Sequence, residues 1–368
     1  MSAPLIDLKP IVRPFAIEGE YLDGGPYGTG HINDTYAVRF RAPKGEVRYI
    51  LQRINHHVFK QPVPLMENVE RVTAHLRKKI EKAGGDPFRE TLNLVPAIDG
   101  KTWHLTAEGN YWRVYRFIEG AQTYDKVENL DMVYQASFSF GKFQEAMADL
   151  PGKRVNETIP NFHHTRKRFE ALQEAVKKDA KNRAKDVRAE IDFAFSREVD
   201  ASRLVDLLDA GQLPERTTHN DTKLNNVMID DKTGKGICVI DLDTVMPGLP
   251  LYDFGDSVRI GASTAVEDER DLSKVGMDIG MFERLAHGYL DAARGFLTPL
   301  EKKNLAFSGK LLTFECGMRF LADHLAGDTY FRIHREAHNL DRCRTQFKMV
   351  ADMEKAMGEM ERIVEKYC

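Results

Sequence analysis

The sequence predicts an α+β chain of two lobes, a small β-rich N-terminal one and a larger, mainly helical C-terminal one. Three observations carry that expectation. As far as residue 118 the apolar runs are aromatic and β-branched and are bounded by Gly, Pro or Asn, as in "GGPYGTGHINDTYAVRF", "VRYILQRI" and "GNYWRVYRFIEG". After "FIEGAQTYDK" long helical patterns take over, among them "MVYQASFSFGKFQEAMADL", "MFERLAHGYLDAARGFL" and the closing "CRTQFKMVADMEKAMGEMERIVEKYC". Finally, 368 residues exceed what one small core accommodates.

The three N-terminal runs are expected as strands. Between the second and third, "VPLMENVERVTAHLRKKIEKAGG" places Leu65, Val69, Val72, Leu76 and Ile80 at steps of three and four, the spacing of one helical face, and Gly84-Gly85 ends it. The change of texture puts the lobe boundary between 1–118 and 119–368. It carries a single Gly and no long linker, so the lobes are expected to be hinged around a cleft. The run "AVKKDAKNRAKDVRAE" (175–190) mixes acids with bases and is expected to be a solvated helix face.

A hydrophobic content of 42%, a charged content of 30% and a formal net charge of -3 describe an ordinary globular chain. They supply no general attraction to nucleic acid or to an anionic membrane, so a small-molecule ligand is expected. The opening "MSAPLIDLKPIVRPFAIEGE" has no uninterrupted apolar core of signal-peptide length, and no segment approaches the roughly 18 apolar residues of a membrane helix. A cytoplasmic chain is expected. Cys238, Cys316, Cys343 and Cys368 form no C-x-x-C pair and are expected as reduced thiols.

Chemistry concentrates in "THNDTKLNNVMIDDKTGKGICVIDLDT" (217–244). "NVMIDD" and "GICVID" are apolar runs separated by "KTGK", which reads as a hairpin. If that hairpin is symmetric, Asn226 faces Asp241, and opposed residues lie roughly 4.5 to 5.5 Å apart. One amide oxygen and one carboxylate side by side suit Mg²⁺, which takes hard oxygen ligands and completes its shell with phosphates and water. Asp221 stands five residues before Asn226, and His219-Asn220-Asp221 with Asn226 has the H-x-D-x-x-x-x-N spacing of a kinase catalytic loop. Asp221 is thereby the candidate base, and Asn226 and Asp241 the candidate metal ligands.

Two short matches compete. Asp253-Phe254-Gly255 spells a kinase metal motif, but Asp241 already holds the strand-end position, so Asp253 is expected as a structural carboxylate that bonds loop amides. Asp241-Leu242-Asp243 resembles the D-x-D motif of metal-dependent glycosyltransferases, a reading that leaves His219, Asp221 and Asn226 unexplained.

In the N-terminal lobe, "GPYGTGHINDTYAV" is a Gly-rich turn entering a strand, with Gly28 and Gly30 spaced like the first glycines of a phosphate-covering loop and Asn33 where a third would stand. In "RYILQRIN", Gln52 and Arg53 point to opposite faces, and either one is the candidate for the phosphate contact. Glu67 and Glu70 are candidate partners of Arg53. Backbone groups near Phe117 and Ile118 are placed to receive an adenine edge.

Taken together, "GHINDTY", "YILQRIN", "THNDTKLNN", "VIDLDTVMPG", "DFGDSVRIGAS" and "CGMRFLADHL" resemble the N-acetylhexosamine 1-kinases, members of the aminoglycoside phosphotransferase and choline kinase-like group within the protein kinase-like fold. The resemblance runs over nearly the whole chain. It implies ATP- and Mg²⁺-dependent phosphorylation of the anomeric hydroxyl of N-acetylglucosamine or N-acetylgalactosamine. It also implies a base at Asp221, metal ligands at Asn226 and Asp241, and sugar contacts at His31, Asp256, Arg319 and Tyr330. Asn220 stands where protein kinases carry Arg, and no A-P-E follows, which argues against control by activation-loop phosphorylation. The alternatives are a kinase of another acceptor (aminoglycoside, choline or a different sugar), a glycosyltransferase, and a non-enzymatic nucleotide-binding module. Adjacent histidines at 56–57 and 163–164 are not expected to form a metal site.

Overall fold

The computed structural model describes residues 6–28, 30 and 32–368. Strands Glu20–Pro26, Asp34–Ala42, Gly45–Ile54, Tyr111–Arg116 and Leu94–Val95 lie side by side in that order, with His104–Leu105 also paired to Tyr111–Arg116, in a six-stranded antiparallel sheet. Alternation along the strands sorts their side chains between two faces. Val38, Leu51, Trp112 and Val114 pack on one face against Leu8, Val12 and Phe15. Gln52, Arg113 and Tyr115 occupy the other.

The predicted helix forms as Pro62–Lys82, and Leu65, Val69, Val72 and Leu76 are all buried. Gly84 follows at φ +77°, a conformation that suits glycine at a helix end. Leu65, Val69 and Val72 join Ile54 and Tyr115 in a core that continues into Phe140, Phe143, Val227 and Leu242. This cluster is the shared floor on which the sheet meets the helical part.

The rest of the chain is mainly helical, with Leu130–Met147, Ile279–Ala293, Leu305–Ala326 and His338–Tyr367 as its long members. Phe254, Phe282, Leu290, Leu305 and Met349 center its core. Two small antiparallel sheets sit between: Gly236–Val239 with Val227–Asp230 and Ala121–Gln122, and Met246–Gly248 with Arg216–Thr218. Among the described residues no helix is long and apolar enough to cross a membrane.

Two expectations fail here. The run 175–190 is not one helix: Thr165–Lys178 ends at Asp179, whose φ of 36° turns the chain, and a 3-10 turn then leads into Arg188–Phe195. Val187 is fully buried within it. Arg53 pairs with Asp34 on the adjoining strand, whereas Glu67 accepts from Asn156 and Glu70 from Thr102. Register neighbors were nearer to Arg53 than the helix.

Candidate active site

The loop around Asp221 is shaped from below by Asp253. This carboxylate lies in the first turn of the helix Pro250–Gly261, is fully buried, and accepts from the amides of His219 at 2.9 Å and Asn220 at 2.7 Å and from Gln144 Nε2 at 2.6 Å. It bonds loop amides as its sequence position suggested. Asn220 takes the left-handed conformation (φ 64°), which Asn tolerates better than most residues. His219 sits edge-on to Phe140 and Phe143. Its Nε2 lies 2.9 Å from the Ile240 carbonyl while Nδ1 receives the Asp221 amide at 3.3 Å, which makes Nε2 the donor and Nδ1 the acceptor.

The hairpin expected to bring Asn226 opposite Asp241 has a different register. A bulge between Gly236 and Cys238 places Val239 opposite Val227, and the Ile240 amide bonds the Asn226 carbonyl at 2.9 Å. Asp241 comes one residue later, in the left-handed conformation (φ 57°, ψ 57°) that starts the turn Leu242–Thr244. Asp230 moved the register, because its carboxylate folds back on the amides of Lys232 and Thr233.

Asp221, Asn226 and Asp241 still gather on one cleft of about 580 Å³, which Gly28, Gly30, Gln52, Phe117 and Ile118 also line. Asn226 Nδ2 donates to the Asp221 carbonyl at 2.8 Å and to its Oδ2 at 3.2 Å, which leaves the amide oxygen for another partner. Lys223 Nζ lies 2.9 Å from Asp221 Oδ2. Burial alone would lower the Lys223 ammonium, but Asp221, then Asp241 and Asp256, hold it above the ordinary lysine value. Asp241 has no ion pair among the described residues. Burial, and then the charges of Asp243 and Asp221, push its carboxyl up to about 6. Asp241 is exposed to the cleft that Asn226 also lines, and a carboxylate short of positive charge on the same cleft as a free amide oxygen fits a hard cation whose remaining ligands are phosphate and water.

Gln52 faces this cleft and Arg53 does not, which separates the two candidates by position. The Phe117 amide is already bonded to the Arg48 carbonyl at 3.2 Å, so of the two residues at the sheet's end Ile118 keeps its N–H available among the described residues. Gly28 has φ +79° and open space around it. A more open depression of about 670 Å³, lined by Tyr124, Arg284 and His287 among others, contains none of the candidate catalytic or metal residues.

Of the residues that the resemblance marks as sugar contacts, Asp256, Arg319 and Tyr330 do not line that cleft. Asp256 accepts from the Thr222 amide at 3.1 Å and pairs with Arg259 at 2.8 Å. Arg319 lies 3.6 Å from Glu315 and packs against the rings of Phe162, Tyr330 and Phe331, while Tyr330 itself is 67% exposed. His31 lies outside the described residues. His163 is buried between Glu315 and the Asn220 carbonyl, and His164 caps a helix by accepting from Lys167. The rings of His56 and His57 do approach, with centroids 4.5 Å apart, yet no metal-binding group of three or more His, Cys, Asp or Glu forms among the described residues.

Sequence reasoning missed Arg113, Lys223, His163 and Glu315. Lys223 was the accessible one, being two residues from the candidate base. The others reach the site only through long-range packing.

The D-x-D reading also loses its second carboxylate, since Asp243 is 1% exposed and bonded to Arg113. The model of the phosphotransferase enzyme family matches residues 23–296. The chain belongs to this family. It is an ATP-dependent small-molecule kinase of that family, and the match ends before Arg319 and Tyr330.

Solved structures of the same fold cover nearly the whole of this phosphotransferase. It is similar to a microcompartment-associated aminopropanol kinase (TM-score 0.57, 16% identity, 96% of this chain and 97% of that one). It is also similar to an aminoglycoside phosphotransferase from Alicyclobacillus acidocaldarius (0.59, 14%, 100% and 98%). A third likeness is to the amicoumacin kinase hAmiN in complex with AMP-PNP, Ca²⁺ and Ami (0.58, 11%, 93% and 93%). At these identities the likeness shows the kinase-like fold, an N-terminal antiparallel sheet with a larger helical C-terminal part.

Proposed function

We propose that this phosphotransferase transfers the γ-phosphoryl group of ATP to the anomeric hydroxyl of an N-acetylhexosamine, N-acetylglucosamine or N-acetylgalactosamine. The observation that carries the reading is the convergence of Asp221, Asn226 and Asp241 on one cleft. ATP lies between lobes 1–118 and 119–368, with Gly28 and Gly30 over its phosphates, Gln52 beside them and the Ile118 amide at the adenine edge. Asn226 and Asp241 would hold Mg²⁺, which would supply positive charge to the phosphates when bound.

Asp221 orients the sugar hydroxyl. Its Oδ2 is engaged by Lys223 and Asn226, so Oδ1 takes the proton as the O1–Pγ bond forms and the bond from Pγ to the bridging oxygen of ADP breaks. Most of the acceleration comes from positioning and charge neutralization.

On the acceptor side, Asp256 is neutralized by Arg259, and Glu315 by His163 with Arg319 nearby. With Asp256 and Glu315 both paired among the described residues, neither invites a cationic acceptor, which favors a neutral polyol over choline or an aminoglycoside. His31, Asp256, Arg319 and Tyr330 are the sugar-facing candidates, on the strength of the motif resemblance. The fold is silent on this point, because the similar structures bear the names of kinases with different acceptors.

Phosphorus NMR with ATP, Mg²⁺ and, separately, the two acetamido sugars, plain hexoses, choline and an aminoglycoside tests the proposal. The expected result is a new phosphate signal coupled to the sugar H1. Transfer to a different hydroxyl or acceptor would overturn the substrate and keep the kinase.

A further inference from the structure

Arg113 and Asp243 are both 1% exposed and face each other where the sheet meets the turn after Asp241. Arg113 Nη1 donates to Asp243 Oδ1 at 2.5 Å and Nη2 to Oδ2 at 3.0 Å. Its Nε and Nη2 also donate to Gln52 Oε1 at 3.0 and 2.8 Å, and Nη1 approaches the Met66 sulfur at 3.7 Å. All five guanidinium N–H groups are therefore committed within the protein. Arg113 has no donor left for a phosphate unless this arrangement is dismantled.

Gln52 passes the connection on, since its Nε2 donates to Thr35 Oγ1 at 3.0 Å. Thr35, Gln52 and Arg113 are register partners on three adjacent strands, so they form one polar row across the cleft face. Asp243 also accepts from Asn33 Nδ2 at 2.6 Å, and Asn33 follows the glycine-rich turn. From the opposite side, Thr244 Oγ1 donates to the His219 carbonyl at 2.7 Å and Asn220 Nδ2 to the Thr244 carbonyl at 2.9 Å. The 241–244 turn is thus pinned between the sheet and the Asp221 loop.

A buried ion pair is weak as a stabilizing device, because desolvating both charges cancels much of their attraction, and apolar replacements of such pairs are often neutral or better. What the pair does supply is a fixed geometry. Bidentate Arg–carboxylate contacts hold angle as well as distance, and this one ends two residues from Asp241.

We propose that Arg113 is a positioning residue for the metal-phosphate end of the cleft: through Asp243 it sets the turn that presents Asp241, and through Asn33 it ties that turn to the glycine-rich segment. This rests on the reading of Asp241 as a metal ligand. Arg113 acts without touching nucleotide, and its loss is felt as weaker cooperation between Mg²⁺ and nucleotide.

The test is calorimetric binding of a non-hydrolysable ATP analogue, with and without Mg²⁺ and with no acceptor present, to the full chain. The double variant Arg113→Met/Asp243→Asn removes both charges while leaving an amide oxygen for Asn33, and thermal unfolding checks its fold. In the wild type Mg²⁺ is expected to tighten analogue binding. In the double variant metal-free binding is expected to stay within about threefold of wild type, while the Mg²⁺ enhancement falls roughly 10- to 100-fold, the scale on which groups behind a metal ligand act. A folded double variant with the full enhancement would overturn the proposal.

Arg113→Lys covers the case in which the double variant does not fold. Lysine keeps the charge beside Asp243 but lacks the fork that spans both carboxylate oxygens and Gln52, so the enhancement is expected to fall here too, and its retention would equally overturn the proposal. A wild type whose binding ignores Mg²⁺ would instead sink the metal assignment of Asp241, and the proposal with it.

Discussion

The buried imidazole of His163 lies with Nδ1 3.1 Å from Glu315 Oε1. Its other nitrogen, Nε2, is 3.1 Å from the carbonyl of Asn220, the residue before Asp221. Only an imidazolium donates both bonds. Burial disfavors the charge on each partner, but Glu315, with Asp256, raises His163 above 6.5 against the opposing Arg319, while His163 and then Arg319 and Arg168 hold Glu315 below 4.5. The histidine's contribution to stability is complete below 6.5 and is lost as pH rises through its folded value; the glutamate's is complete above 4.5 and is lost as pH falls through its own. Melting temperature is therefore expected to drop as pH rises above 6.5, and His163→Gln/Glu315→Gln should flatten that slope. An unchanged slope in the folded double variant would remove the ion pair as its source.

Asp253 is expected to be a stability residue. Asp253→Asn turns an acceptor into a donor in front of buried amides, and Asp253→Ala strands them, at a cost on the order of 2–5 kcal/mol in chemical denaturation. If Asp253 held metal instead, the variants would lose Mg²⁺ dependence with little loss of stability.

Gly255 completes the same three-letter motif for a steric reason. A Cβ there would sit 2.4 Å from the Ser308 carbonyl oxygen on the neighboring helix. Gly255→Ala is expected to destabilize by roughly 1–3 kcal/mol, as overpacking does. A variant as stable as the wild type would mean that the two helices separate at no cost.

Lys223 pairs with Asp221 at 2.9 Å at the proposed transfer site. Asp221→Asn should retain binding of the ATP analogue and lose most turnover, at least 100-fold on the scale of general-base loss. Lys223→Met removes the ammonium beside Oδ2 and should lower kcat roughly 100-fold with a smaller effect on the acceptor KM. Full turnover in either variant would displace that residue from its role.

Much of the candidate site was legible because it depends on local spacing. Asp221 and Asn226 are five residues apart on one loop, and strand alternation separates Gln52 from Arg53 whatever the rest of the chain does. The helix over Pro62–Lys82 was equally plain, since its apolar positions repeat at helical steps. Where a single side chain reset the backbone, as Asp230 did at the hairpin turn, the period survived and the register did not.

By itself the sequence determined the α+β fold, with its N-terminal sheet and larger helical part, and the spacing of the candidate catalytic loop, because periodicity and short spacings are properties of neighboring residues. Tertiary structure alone decided which buried charges are partners. Arg113 meets Asp243 across 130 residues and His163 meets Glu315 across 152. No local pattern marks such pairs, since a charge becomes tolerable inside a protein only when the completed fold delivers its counterion and its hydrogen bonds.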